Sequence, residues 1–462
     1  MNRNFAVQGF RWICCCLIFW SVGCVSVERQ AERYQQLQPQ RYVIVHPEGR
    51  EATAEYVDFA QWKSQQGYAV EWVSFDDALP ADQRFRNVSQ KLKQLRPAKG
   101  ESAYLLIAAS NEELPMGPWQ PAGTDLTIHS DLPLLAGREE LGGHLERAEW
   151  EPAIRYPPQW ICGRIPFEDA EVIATTLNSA RVFHEKQGPI QALLGTERFA
   201  IANDSSMVMA GVRNDLKELD WETQLYNEDW PREKDLEELT VELKITEREE
   251  KNKTVRKMNV DWSFIESWNS QSPDLVYVIS HASHMRNTVT QKEYIGVGKK
   301  LFFPLAFEVW GDPTVNIWYG QRWPKSPAIF FTTGCQMGRP DNEMLNMLAA
   351  NGWTAAMVTS THNTSPMPLI AAIRAERAAP LYLAAGLTVG QSHSATLNAY
   401  LKDSNWDPVN WLLYPWAKKA KLKNVLGLTI YGDPSISLEN RSNTHSALAT
   451  RAPKQQESIQ EH

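Results

Sequence analysis

The sequence predicts an α/β protein built on a mostly parallel sheet with helices packed on its faces. Three observations carry this. Short, uninterrupted apolar runs recur along the chain, segments with helical spacing separate them, and glycines or prolines mark many of the junctions. A strand buried on both faces reads as a continuous aliphatic run, and parallel neighbours need a crossover that is usually a helix. Hydrophobic residues make up 43% of the 462, enough for a large core and too many for wholesale disorder.

In chain order, Tyr42 to His46 (YVIVH) is a buried strand bounded by Pro47, and Ala54 to Gln66 is a helix that stops at Gly67. Tyr68 to Phe75 is a second strand, Ala81 to Leu95 a helix ending before Pro97, and Tyr104 to Ala109 a third strand. The rhythm resumes with the strand Gln159 to Ile165, a helix from Glu168 to Lys186, and a strand from Arg198 to Ala202. Pro231 to Lys257 interleaves charges of both signs and reads as a solvated excursion. Apolar strands return at Leu275 to Ser280, Ala328 to Thr333, Thr354 to Ser360 and Leu428 to Tyr431. Val27 to Arg41 is rich in Gln and Arg and reads as a polar linker. The expected organisation is a linker over 24–41, a first α/β subdomain over 42–190, a second over 191–440, and a disordered polar tail over 441–462.

The N-terminus has a separate layout. Arg3 and Arg11 precede an apolar run from Trp12 to Val25, too short to span a bilayer and arranged as an export signal. The run closes on Ser21-Val22-Gly23-Cys24, which resembles the bacterial lipobox. That resemblance implies a signal peptide over 1–23, acylation of Cys24, and a membrane partner held through the lipid on the periplasmic or cell-surface side. An ordinary signal peptide that contains a cysteine is the competing reading, since Ser21 stands where the lipobox usually has Leu.

Cys14, Cys15, Cys16 and Cys24 lie in or beside this segment, so the body holds only Cys162 and Cys335. Two cysteines make no disulfide framework, although a single bridge between them stays open. The formal charge of -8 is spread along the chain, which excludes the basic face of a nucleic-acid binder. His281-x-x-His284 has no third ligand at sensible spacing, so no metal is expected. No G-x-S-x-G elbow, HExxH or phosphate-cradling glycine loop is present, and no cofactor is implied.

Two strand ends carry the chemistry. Leu275 to Ile279 runs into Ser280-His281-Ala282, and Ala328 to Thr333 runs into Gly334-Cys335-Gln336. Ligands of parallel sheets bind beyond the carboxyl ends of strands, so a His and a Cys at two such ends would face one cleft. A thiol nucleophile with an imidazole acid/base requires that arrangement. Cys162, inside the predicted strand QWICGRI, is assigned as a small buried hydrophobe instead.

Apolar block–His–small followed by apolar block–Gly–Cys resembles the signature of the gingipain family, in the caspase–gingipain clan of cysteine peptidases. Further segments match in the same order: Val57 to Tyr68 with Lys63 ahead of Gly67-Tyr68, Ser130-Asp131, Gly163-Arg164-Ile165-Pro166, Ala355 to Pro366, and Gly432-Asp433-Pro434-Ser435. The resemblance spans Tyr42 to Leu438. It implies a caspase-like, gingipain-type fold in two subdomains, with peptide or protein as substrate. It also implies Cys335 as nucleophile, His281 as acid/base, and the backbone N–H groups of Cys335 and Ala282 as oxyanion donors.

The sequence departs from the family at three places. Ala282 stands where Gly usually follows the His. Gln159 stands where an acid supports the imidazole, and is left as a candidate His-orienting residue. Val172 stands where an acid reads a basic substrate side chain, with Glu168 and Glu171 nearby. Two function classes follow: an exported, lipid-anchored cysteine-type endopeptidase, favoured by the retained His281 and Cys335, and a catalytically weak lipoprotein that binds peptide or assists assembly, favoured by Ala282 and Gln159.

Overall fold

The computed structural model describes residues 27–48, 54–197, 205–228, 263–279, 326–332, 337–339, 343–362, 371–402 and 417–438. Helix α1 (Val27–Gln35) is followed by β1 (Arg41–Pro47), α2 (Ala54–Gln65), β2 (Ala69–Phe75), α3 (Ala81–Gln94) and β3 (Ala103–Ile107). A small antiparallel and parallel sheet comes next: β4 (Pro118–Pro121), β5 (Ile128–His129), α4 (Leu132–Ala136), β6 (Gly143–Leu145) and then α5 (Arg147–Ile154). The chain continues through β7 (Trp160–Arg164), α6 (Ala170–Glu185), β8 (Gln191–Glu197), α7 (Ser205–Glu218) and β9 (Glu222–Glu228). Next come α8 (Ser263–Gln271), β10 (Leu275–Ile279), β11 (Ala328–Thr332), α9 (Glu343–Ala350) and β12 (Thr354–Ser360). The last elements are α10 (Ala371–Ala384), α11 (Val389–Lys402), α12 (Ala417–Gly427) and β13 (Leu428–Gly432).

All strands but β4, β5 and β6 join one ten-stranded sheet, in the order β2-β1-β3-β7-β13-β12-β11-β10-β8-β9. Every neighbouring pair is parallel except β12 and β13, which meet antiparallel with Met357 opposite Tyr431. The sheet therefore reverses polarity at one seam. The carboxyl ends of β2, β1, β3, β7 and β13 leave one edge, and those of β8 to β12 leave the opposite edge.

Local sequence explains the elements. Tyr42 to Val45 are fully buried, with Val43 and Val45 in one hydrophobic cluster and Tyr42 and Ile44 in the other, so β1 has core on both faces. Each such aliphatic side chain contributes about 1.5–3 kcal/mol by leaving water. Helix α2 ends in a Schellman motif: Tyr68 N–H donates to Lys63 and Gly67 N–H to Ser64. Gly67 sits at φ +93, in the left-handed region that favours glycine. Asp169 caps α6, its carboxylate accepting from the N–H groups of Glu171 and Val172.

Two expectations change. The segment read as a polar linker forms α1, which buries Gln30, Ala31 and Tyr34 against α10 and α11. Its polar groups are satisfied: Gln30 Nε2 donates to Ala395 O at 3.0 Å, and Asn398 Nδ2 to the Tyr34 hydroxyl at 2.8 Å. The strand beside β10 is Gln191–Glu197, ahead of the expected Arg198 to Ala202, which lies outside the described residues. Residues 1–26, including Cys24, and the charged stretch Pro231 to Lys257 also lie outside them, as does the tail. Among the described residues no helix is long and apolar enough to cross a membrane.

Candidate active site

Strands β10 and β11 are parallel neighbours in register, Leu275 opposite Ile329 and Val278 opposite Thr332. Every residue of both is buried, so the sheet here is a rigid core element. The candidate residues His281, Ala282 and Cys335 lie outside the described residues. In sequence they follow Ile279 and Thr332, the last residues of these two hydrogen-bonded strands.

The described chain returns at Met337, two residues past Cys335. Gly338 N–H donates to Ser360 O at 2.8 Å, at the end of β12. Thr361 N–H donates to Gly427 O at 2.8 Å, and Thr361 Oγ1 to the His129 carbonyl at 2.5 Å. The Ser360 hydroxyl donates to His362 O at 2.9 Å. The carboxyl end of β12 is thus held by α12 on one side and the small sheet on the other. Ser360, Thr361 and His362 fall within the matched segment Ala355 to Pro366, but the bonds themselves run to backbone carbonyls and leave no residue-type signal.

The other matched motifs pair with one another. Arg164, at the end of β7, makes a bidentate ion pair with Asp131, at 2.6 Å and 3.0 Å. Its remaining terminal nitrogen donates to Ala109 O and Leu114 O, both at 2.9 Å. Arg164 is fully buried, so its charge depends on these partners. Lys63 Nζ lies 2.6 Å from Asp433 and donates to Ser435 Oγ at 2.8 Å. The Tyr42 hydroxyl and the Ser435 N–H both donate to the same Asp433 oxygen at 2.9 Å. Lys63 also sits over the Trp62 ring, 4.1 Å from its centroid. Burial pulls the Lys63 ammonium below its ordinary pKa, against Asp433, which holds it up. These motifs are buried staples.

Gln159 stands just ahead of β7, on the edge from which β10 and β11 exit. Its Nε2 donates to Pro97 O at 2.9 Å, and its carbonyl accepts from Ala103 N–H at 2.9 Å. β7 lies four places from β10 in the sheet order, about 19 Å at roughly 4.8 Å per strand. The Gln159 side-chain nitrogen is thus bonded at the entry to β7, and His281, which Gln159 is a candidate to orient, lies outside the described residues. Glu168, Glu171 and Val172 follow β7 and so belong to the opposite edge, where Glu168 accepts from Ser110 Oγ at 2.8 Å. Cys162 is a partly buried residue of β7 packed on the second core cluster. Burial pushes its thiol pKa well up, and Asp131 adds to this, which suits an inert packing residue. Among the described residues no group of His, Cys, Asp and Glu could hold a metal ion.

No family model and no curated protein matches the chain. Solved structures do. The crystal structure of the Arg-specific cysteine proteinase gingipain R (RgpB) superimposes with a TM-score of 0.54 at 15% identity, covering 86% of this chain and 78% of that one. The complex of Porphyromonas gingivalis RgpB pro- and mature domains gives 0.52 at 16% identity, covering 86% and 79%. A structure described only as a protease gives 0.50 at 11% identity, covering 87% and 78%. The fold is that of gingipain. The mostly parallel sheet with flanking helices expected from the sequence is the observed architecture, and at this identity the likeness is one of fold.

Proposed function

We propose that the chain is a cysteine-type endopeptidase, exported and anchored through a lipid on Cys24. One observation supports the chemistry above the rest: the strands that lead into His281 and Cys335 are adjacent, parallel and in register, within a fold shared with a cysteine proteinase. A nucleophile and a base on neighbouring strand ends need no long-range adjustment to meet over one scissile bond.

In this reading the Cys335 thiolate attacks the peptide carbonyl carbon, and the oxyanion is held by the N–H groups of Cys335 and Ala282. Preorganised donors of this kind contribute about 3 kcal/mol of transition-state stabilisation. His281 protonates the departing amine, leaving a thioester on Cys335. It then takes a proton from water as the water attacks that thioester, and the C–S bond breaks to release the acid and restore the Cys335 thiolate beside a protonated His281. No basic-side-chain specificity is proposed, because Glu168 and Glu171 follow a strand that exits the opposite edge.

The reading of a weak, peptide-holding lipoprotein is favoured by Gln159, an uncharged residue where the resemblance expects an acid, with its amide bonded to Pro97. Labelling of the mature protein with a thiol-directed probe separates the two. The peptidase reading expects labelling at Cys335 that vanishes in His281→Ala, together with cleavage of a peptide pool that falls at least about a thousandfold in Cys335→Ala. Equal labelling of Cys335 and Cys162 with no cleavage would leave only the binding reading. Radiolabelled palmitate incorporation that persists in Cys24→Ala would remove the anchor from the proposal.

A further inference from the structure

Tyr431 is the fourth residue of β13 and is buried, 1% exposed. Its backbone stands at the seam of the sheet, opposite Met357 of β12 and beside Arg164 of β7. Its hydroxyl leaves that strand and donates to the carbonyl of Gly338, with the Met116 sulfur 3.7 Å away. The N–H of the same glycine is taken by Ser360 O at 2.8 Å. Both polar groups of Gly338 are therefore fixed, one from each of the two strands that meet antiparallel at the seam.

The glycine lies close against β12. A Cβ built at Gly338 would come within 2.9 Å of Thr359 Cγ2 and 3.1 Å of the Ser360 carbonyl carbon. Only a residue without a side chain brings its backbone this near, so this anchor is built for close approach. Gly338 follows Cys335 by three residues, and Thr332, the end of β11, precedes it by three. Three residues reach at most about 11 Å, so Cys335 is within that span of the anchor along the chain.

We infer that Tyr431 is a positioning residue for the nucleophile: its hydroxyl sets the height of the backbone just past Cys335 against the ends of β11 and β12. The inference rests on the reading of Cys335 as nucleophile. It assigns a buried tyrosine of the last strand, far away in sequence, a part in catalysis without any contact to substrate.

Tyr431→Phe removes the donor and keeps the ring. In the full-length mature protein it is expected to lower both kcat and the rate of Cys335 alkylation by iodoacetamide on the order of tenfold, as a displaced nucleophile would. KM stays within about twofold and Cys162 alkylation is unchanged, which a general loosening of the fold would not produce. Gly338→Ala displaces the same anchor from the β12 side with Tyr431 intact, and is expected to give the same split. It also serves as the deciding variant if Tyr431→Phe does not fold. Wild-type Cys335 that outpaces Cys162, with a rate unaltered in the folded variants, overturns the positioning role alone. Wild-type Cys335 no faster than Cys162 overturns that role and the peptidase reading together.

Discussion

On the β1 side of the sheet, buried ion pairs lock the chain: Arg164, the last residue of β7, with Asp131 beyond it, and Lys63 of α2 with Asp433, just past β13. On the β10 side, the strand ends run into the segments that carry His281 and Cys335. Both halves are parallel, but they exit opposite edges because β12 and β13 meet antiparallel. The rule that ligands sit beyond carboxyl ends of strands thus points to two separate places in one sheet. One of them is filled by the protein's own charges. A shared motif is therefore no guide to chemistry until its partner is known, and Gly-Arg-Ile-Pro and Gly-Asp-Pro-Ser both turn out to hold the fold together.

The largest expected effect on stability tests that division. Asp131→Ala leaves the Arg164 guanidinium buried without its counter-ion, which is expected to cost about 3–5 kcal/mol. Replacing both, as Asp131→Leu with Arg164→Met, is expected to recover most of that loss, since a buried pair adds little net stability over apolar packing. Urea unfolding followed by intrinsic fluorescence measures both. A single variant within about 1 kcal/mol of wild type would remove the staple from the β1 side.

Much of the fold is legible in the sequence because β-branched and aliphatic runs leave few alternatives to a buried strand. YVIVH, YLLIAA, LVYVI and TAAMVTS all become strands close to their expected limits. Helix α1 is not legible in the same way. Its buried face carries Gln30 and Tyr34, whose side-chain polar groups pair with residues more than 350 positions later. The polarity reversal is hidden for a similar reason: nothing in LTIYG says that it enters the sheet between β7 and β12. At the candidate site the residue types are visible in the strand–His and strand–Gly–Cys patterns. The anchor from Tyr431 to Gly338 is not, because a tyrosine in an apolar strand reads as core whether or not its hydroxyl has work to do.

The seam itself can be probed by pH. His393 on α11 lies with Nε2 3.3 Å from the carbonyl of Leu428, where β13 begins. Burial lowers its pKa from 6.5 to about 4, opposed by that carbonyl. A folded pKa below the unfolded one means the neutral ring supports the fold, fully above pH 6.5 and progressively less as pH falls towards 4. The difference corresponds to about 3 kcal/mol. His393→Gln keeps a donor for Leu428 and cannot take up a proton in this range. Stability measured at pH 7 and pH 4 is expected to fall less in the variant than in wild type, by roughly that amount. Equal falls would show that the seam does not sense this ring.

The smallest effect is expected at Gln159, and it separates the halves most directly. Its amide donates to Pro97 on the β3–β7 side, so Gln159→Ala should lose about 0.5–1.5 kcal/mol, the net worth of one hydrogen bond. If the two halves divide the labour, kcat, KM and the pH profile of Cys335 alkylation all stay within about twofold of wild type. A His-orienting role predicts the opposite pattern: a kcat loss of tenfold or more and a shifted alkylation profile, with little change in stability. That result would extend the catalytic half across the seam to β7 and would make the β1 side a participant in the chemistry.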